Sequence, residues 1–470
     1  LRIRPASLRP ALLSGLVPGL CALALSAPAT AATLEPPAVS PSPLTVSLDF
    51  VGQFATAGNQ NNVASPIPIG DHLYVVDQKR GKITIQDGAS SRNVLDLTDV
   101  PPDVTPVGKS GFMNMAGDGG PVAYVGFTSS TLPAGFGTAQ ALPNDPNYHQ
   151  PEKHYQLIYA YDRAADGSLS NPRALTAFET GQSTRQGGAH FGEAMLVLPD
   201  GRLLLSRGDN LNQLYDGLTH AQDPTTTVAK LLIIDGQTGA TQVAATGVRN
   251  VQQLSYTDAS RTRIAFSDIG RTVAEEINVI DVADLVDTAE VENFGWGRNA
   301  DGLNREGTFY VNQGDFMGEV PGATGAIPGE EPGFITPYAQ FGREGAPWLA
   351  VSGPILSEVS FNMIDMLFGD LATGALYATM EGIGDTLNTV YSVGVADGFG
   401  GVTTLADYLG ITRADLRFFN FTDGSAGVLL ERTGMAYRIT EVVTAVPLPA
   451  SALLLLGGLG LMATRRRRPA

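Results

Sequence analysis

His190 is the residue whose surroundings most invite chemistry. It sits in Gly187-Gly-Ala-His-Phe-Gly192, before a strand pair, Glu193–Leu198 and Arg202–Ser206, joined by Pro199-Asp200-Gly201 and followed by Gly208-Asp209-Asn210. At the inner end of such a strand the imidazole would point into a central pocket, and a neutral imidazole is a suitable general base near pH 7. The other four histidines, His72, His149, His154 and His220, lack this setting. Further downstream lie Gly247-Val-Arg-Asn250, Asp268-Ile-Gly270 and the acidic pair Glu275-Glu276. That pair reads equally well as a solvated strand edge. Trp296 and Trp348 are the only tryptophans; Trp348 would stack on a sugar or cofactor, or fill a core. The absent motifs are also informative. There is no P-loop, no strand-linked GxGxxG, no HExxH and no GxSxG, which argues against nucleotide, metalloprotease and α/β-hydrolase chemistry. Asp301-Gly-Leu-Asn-Arg-Glu306 lacks the alternating oxygen ligands of an EF-hand.

The elements that must position these residues are short strands. Runs such as 72–77, 82–86, 122–126, 156–161, 202–206, 229–235, 263–267, 375–379 and 435–439 are rich in Val, Ile, Leu and Tyr and bounded by Gly, Asp or Asn. Asp200-Gly201, Asp235-Gly236 and Asp423-Gly424 are good hairpin turns. Helices are expected only at Val282 to Thr288 and Leu405 to Leu416. The recurring strand–turn–strand unit predicts an all-β fold, a six-bladed β-propeller over 45–441 at roughly 60–70 residues per blade, with a β-sandwich pair as the alternative. Residues 130–155 and 298–345 read as long loops able to roof a site on one face.

Composition narrows the class. Of 470 residues, 43% are hydrophobic and 16% charged, enough for a real core. The net charge of −17 argues against a nucleic-acid partner. The single cysteine, Cys21, excludes a disulfide framework and Cys-based metal sites.

The ordered set of motifs resembles the glucose/sorbosone dehydrogenase family, whose soluble members are six-bladed propellers that use pyrroloquinoline quinone (PQQ). The His190 segment with its Pro-Asp-Gly turn and Gly208-Asp209 is similar to the family's His blade. Ala221-Gln-Asp223, Ala229–Asp235, Gly247-Val-Arg-Asn250, Asp268-Ile-Gly270, Glu275-Glu-Ile-Asn278, Asn293-Phe-Gly-Trp296 and Phe368-Gly-Asp370 with Gly374-Ala-Leu-Tyr377 follow in family order. The resemblance implies His190 as the base that takes a sugar hydroxyl proton while PQQ takes the hydride. It implies Arg249 and Asn250 as PQQ contacts, and the planar fork of Arg suits carboxylate and carbonyl oxygens. It places Ca²⁺ at the turn of Gly270 and Arg271, and Glu275 and Glu276 near a structural calcium. It implies Lys109, where the family has glutamine, and Arg417 as further PQQ contacts, and Arg271 stands where the family often has proline. Of the last-blade arginines only Arg413 and Arg417 lie near, with Arg417 out of register.

Both ends read as addresses. Residues 1–33 have a basic start (Arg2, Arg4, Arg9), an apolar stretch and small residues at Ala29-Thr-Ala-Ala32, the pattern of a cleaved signal peptide. Residues 34–44 are a Pro-rich lead-in. Val446-Pro-Leu-Pro-Ala450, an apolar run to Thr464 and Arg465–Arg468 make residues 446–470 resemble the VPLPA variant of the PEP-CTERM sorting signal, which implies an apolar sorting helix and an exosortase partner. A plain tail anchor is the alternative. The two ends hold three and four of the 30 basic residues and no acids, so the body between them carries −24.

The expectation is therefore an exported PQQ-dependent sugar or aldose dehydrogenase that passes electrons to an external acceptor. It would reside in the periplasm, at the cell surface or outside the cell. The alternatives are a surface-sorted propeller that binds polysaccharide without catalysis, and a calcium-dependent propeller lactonase.

Overall fold

The computed structural model describes residues 39–40, 44–55, 64–77, 81–88, 90–96, 112–142, 153–181, 190, 192, 194–209, 220–271, 273–287, 289–298, 304–311, 323–326, 333–342, 350–380, 382 and 387–442. The proposed signal peptide, most of the lead-in, the sorting segment, Cys21, Lys109, His149 and Trp348 lie outside them. Among the described residues no helix is long and apolar enough to cross a membrane.

The chain forms antiparallel sheets in sequence order. The first joins Ala64–Ile69, His72–Asp77, Lys82–Asp87 and Ser90–Asp96. The second joins Phe112–Ala116, Val122–Ser129, Lys153–Arg163 and Leu169–Gly181. The third joins Met195–Val197, Leu203–Arg207, Lys230–Ile234 and Thr241–Thr246, with Glu292–Asn293 added in parallel. The fourth joins Val251–Tyr256, Arg263–Asp268, Ala274–Asp281 and Ala339–Gly342. These four have the form of propeller blades, and the fold is all-β and propeller-like. Each strand run picked out from the sequence overlaps a strand here.

Six separate blades are not what the hydrogen bonding gives. Thr45–Gln53 and the strands from Val351 to Glu441 merge into one nine-stranded sheet. The cause is Thr45–Gln53, which pairs antiparallel with Met435–Glu441 on one edge and in parallel, through Thr45 and Val46, with Gly394 and Val395 on the other. The supposed loop over 298–345 also contains structure: Gly297–Arg298, Asn304–Glu306, Phe309–Val311 and Ala323–Ala326 form a small sheet of their own. The second helix stops early. Thr404 caps it by accepting from the Asp407 N–H, Gly410 ends it at a φ of 64°, and a strand begins at Leu416.

Central strands are covered on both faces, so they read as continuous apolar runs. Leu203, Leu204, Leu205, Leu231 and Leu232 are fully buried between neighbouring sheets. Each contributes about 1.5–3 kcal/mol by leaving water. The first strands of successive sheets touch one another and line a channel of about 330 Å³, walled by residues 65–68, 114–118, 194–197, 252–256 and 417–420.

Candidate active site

The third sheet supplies a histidine–carboxylate pair. Its first hairpin pairs Met195 with Leu205 and Val197 with Leu203 about the Asp200-Gly201 turn. Continued outward, this register brings residue 190 near residue 209. His190 Nδ1 lies 2.8 Å from Asp209 Oδ1, and Asp209 is completely buried. A carboxylate at Nδ1 favours the tautomer with the proton there, which makes Nε2 the basic nitrogen. His190 holds a φ of 57°, a left-handed conformation uncommon for a side-chain-bearing residue. Gly208 permits the approach: a Cβ there would stand 2.2 Å from the His190 carbonyl oxygen. The strand end carrying Asp209 is anchored by buried Arg207, which donates to Gln156 Oε1 (3.1 Å), the Glu179 carbonyl (2.8 Å) and Thr227 Oγ1 (2.6 Å). Beside it Lys230 donates to the carbonyls of His220, Ala221 and Val228, and burial pushes its pKa down to about 7.

The turn into the fourth sheet brings Arg249 to this pair. The Asp209 N–H donates to the Arg249 carbonyl (2.9 Å), and Arg249 Nε lies 4.0 Å from Asp209 Oδ2. Asp268, at the end of the next strand, accepts the N–H of Arg249 (2.7 Å) and of Asn250 (2.6 Å) on its two oxygens. Arg249 Nη1 donates to the carbonyls of Ile269 and Gly270, both at 2.7 Å, and its guanidinium lies 5.3 Å from the centre of the Trp296 ring. Trp296 is buried, and its Nε1–H has no partner among the described residues.

The acids of this region divide by the alternation of a strand. Glu275 points to the neighbouring sheet and accepts the Val351 N–H at 2.9 Å. Glu276 faces the other way, opposite Asp268 in the ladder. Burial pushes Asp268 up to about 7 and Glu276 up to about 8, with each carboxyl disfavouring ionisation of its neighbours. Glu306, from the small sheet, is fully buried and accepts three N–H groups on Oε1, those of Arg271 (2.8 Å), Val273 (2.8 Å) and Ala274 (3.0 Å). Gly270 allows that fold-back, since a Cβ would meet Glu306 Oε1 at 2.7 Å. The Arg271 guanidinium is depressed first by burial, then by Arg249 nearby, against the pull of Glu306 and Asp209.

His190, Arg249, Asn250, Gly270, Arg271 and Glu276 thus lie in one connected cluster. Glu275 is turned out of it. Arg417 is engaged elsewhere, 2.7 Å from Glu431 and bonded to Gln252, on the wall of the axial channel. Among the described residues no three His, Cys, Asp or Glu side chains converge as metal ligands. Asp209, Asp268 and Glu306 complete the cluster: the first two stand in the motifs read from the sequence but are given no role there, and Glu306 is no candidate. The hairpin register would have revealed Asp209. Glu306 ends the segment that fails as an EF-hand, and nothing local marks it.

The fold is thus all-β and propeller-like, with a histidine–carboxylate pair beside a buried arginine. The glucose/sorbosone dehydrogenase profile matches residues 65–323, more than half of the chain, and the protein belongs to that family. Among solved structures it is similar to the PQQ-bound aldose sugar dehydrogenase of Streptomyces coelicolor, with 17% identity, a TM-score of 0.52 and coverage of 87% of this chain and 100% of that one. It is also similar to a putative oxidoreductase (glucose dehydrogenase) of Thermus thermophilus, with 15% identity, a TM-score of 0.48, and coverage of 84% and 99%. At 17% identity the likeness to the Streptomyces coelicolor protein is one of fold alone. No curated protein matches the chain.

Proposed function

We propose that the protein is an exported sugar or aldose dehydrogenase that oxidises a sugar hydroxyl with PQQ as its cofactor. The observation that carries this reading is the His190–Asp209 pair set against Arg249 on the Trp296 face. The donor set fits a planar polyanion. Arg249 and Arg271 offer positive charge, and buried Trp296, packed against Arg249, offers an N–H without a partner among the described residues.

When bound, PQQ supplies the quinone that accepts the hydride. The remaining work belongs to the chain. His190 Nε2 takes the hydroxyl proton, and Asp209 fixes the ring and balances the imidazolium that results. Arg249 and Arg271 would hold the cofactor's anionic edge. Asp268 holds the Arg249–Asn250 turn through its two backbone bonds. The chain carries no CxxCH haem motif, so electrons pass to an external acceptor. Export through residues 1–33 and sorting by an exosortase through 446–470 belong to the same proposal, and the composition of those two segments is what supports them.

The test is a PQQ titration of the purified protein, followed by dye-linked oxidation across a sugar panel, beside His190→Ala. Saturable PQQ binding with turnover lost in the variant is expected. A folded protein that binds no PQQ at micromolar concentration would overturn the proposal.

A further inference from the structure

Two backbone carbonyls, of Ile269 and Gly270, converge on one point at 2.7 Å each. Converging carbonyl oxygens are the usual start of a hard-cation site. Here the point is already taken by a nitrogen of the Arg249 guanidinium. That guanidinium is fixed from its other sides by the Trp296 ring and the Asp209 carboxylate. Arg271 adds a second cation close by.

Three of the buried acids here are committed to backbone amides, while Asp209 faces His190 and Glu276 lies opposite Asp268 in the ladder. Glu275 accepts from Val351, Glu306 from residues 271, 273 and 274, and Asp268 from residues 249 and 250. The residues at this turn therefore do not fit the calcium that the family resemblance implies. Calcium takes six to eight oxygens, and it would meet a positive charge at its centre.

We propose that Arg249 stands in place of a divalent cation at the Ile269–Gly270 turn, so that the site takes an anionic, carbonyl-bearing ligand without calcium. The ligand is the quinone of the proposed function, so that part rests on the functional reading. The metal part does not.

Two measurements on the full chain test this separately. Terbium stands in for calcium, with emission excited through tryptophan, and Trp296→Phe identifies emission that originates at this turn. The wild type should show no Trp296-dependent emission, and Arg249→Gln, which vacates the two carbonyls, should gain it. Arg249→Met serves if the first variant fails to fold. PQQ affinity, read by titration, should agree within about twofold between EGTA and excess calcium.

Wild-type emission that is lost in Trp296→Phe and displaced by calcium overturns the inference. So does a loss of PQQ affinity of about tenfold or more in EGTA. Silence in the wild type and in both Arg249 variants also overturns it, because the turn is then no cation position at all. If PQQ binds under neither condition, the proposed cofactor is refuted, and the terbium result alone decides this inference.

Discussion

Replacing Asp209 with asparagine probes the proposed chemistry most directly. The side chain keeps its size, so the buried site should still close. Two things change. The charge-assisted contact at 2.8 Å to His190 Nδ1 is lost, a bond contributing about 1.5–3 kcal/mol. At 1.36 kcal/mol per decade this alone is roughly 10- to 150-fold in rate. The amide also presents an N–H where the carboxylate accepted, which favours the tautomer with the proton on Nε2 and removes the base. A positioned base contributes about 10²–10⁴-fold. The expected result is a fall in kcat of about 10²–10³-fold, with little change in sugar KM, because Asp209 acts through His190 rather than on the substrate. Dye-linked steady-state kinetics on the PQQ-loaded protein measure this, and ¹⁵N NMR of the imidazole reports which nitrogen carries the proton. If Asp209→Asn retains activity within about threefold of wild type while His190→Ala is inactive, the assignment of Asp209 as the positioning carboxylate is wrong.

Asp268 and Glu276 hold their protons more tightly folded, near 7 and 8, than at their ordinary values of 3.8 and 4.5. Their contribution to stability is therefore complete below about pH 4 and is lost as pH rises to about 8. The thermal midpoint of Glu276→Gln should fall less than that of wild type over this rise; parallel curves would refute the shift. Gly208→Ala places a methyl 2.2 Å from the His190 carbonyl, so it should cost about 1–3 kcal/mol in urea unfolding and most of the activity; a neutral substitution would show that the loop carrying His190 does not approach so closely. Glu306→Ala leaves three amides without their acceptor, at about 1–3 kcal/mol for each that water cannot reach, so its unfolding midpoint should drop well beyond that of an ordinary surface variant.

Much of this was legible in the residues, and the limits have physical causes. Strand positions were readable because alternating and continuous apolar runs end at Asp-Gly turns, as at 195–207 and 230–246. The fusion of the last strands was not, because it depends on Thr45 and Val46 finding Gly394 and Val395, which no local pattern encodes. His190 and Arg249 were visible as motif residues. The split between Glu275 and Glu276 follows from strand alternation once the strand is placed, yet which face looks inward depends on neighbouring sheets. Lys109 and Trp348 lie outside the described residues. Arg417 shows how an arginine of the right type can be claimed by its own strand neighbour, Glu431, before any ligand competes.

The place of Thr45–Gln53 has a consequence for how the molecule is made. Its hydrogen-bonding partner, Met435–Glu441, lies nearly four hundred positions later in the chain. During synthesis the early strand waits, unpaired, until almost everything else has emerged. Loop closure over that span adds little entropic cost beyond a shorter loop, since the cost grows only with the logarithm of length, but it makes the seam the latest long-range contact available. Until then the chain carries open strand edges, which are templates for pairing with other molecules. Loss of either end-strand would reopen the same seam, so trimming from the front and trimming from the back should produce the same failure, a soluble yield falling to aggregate.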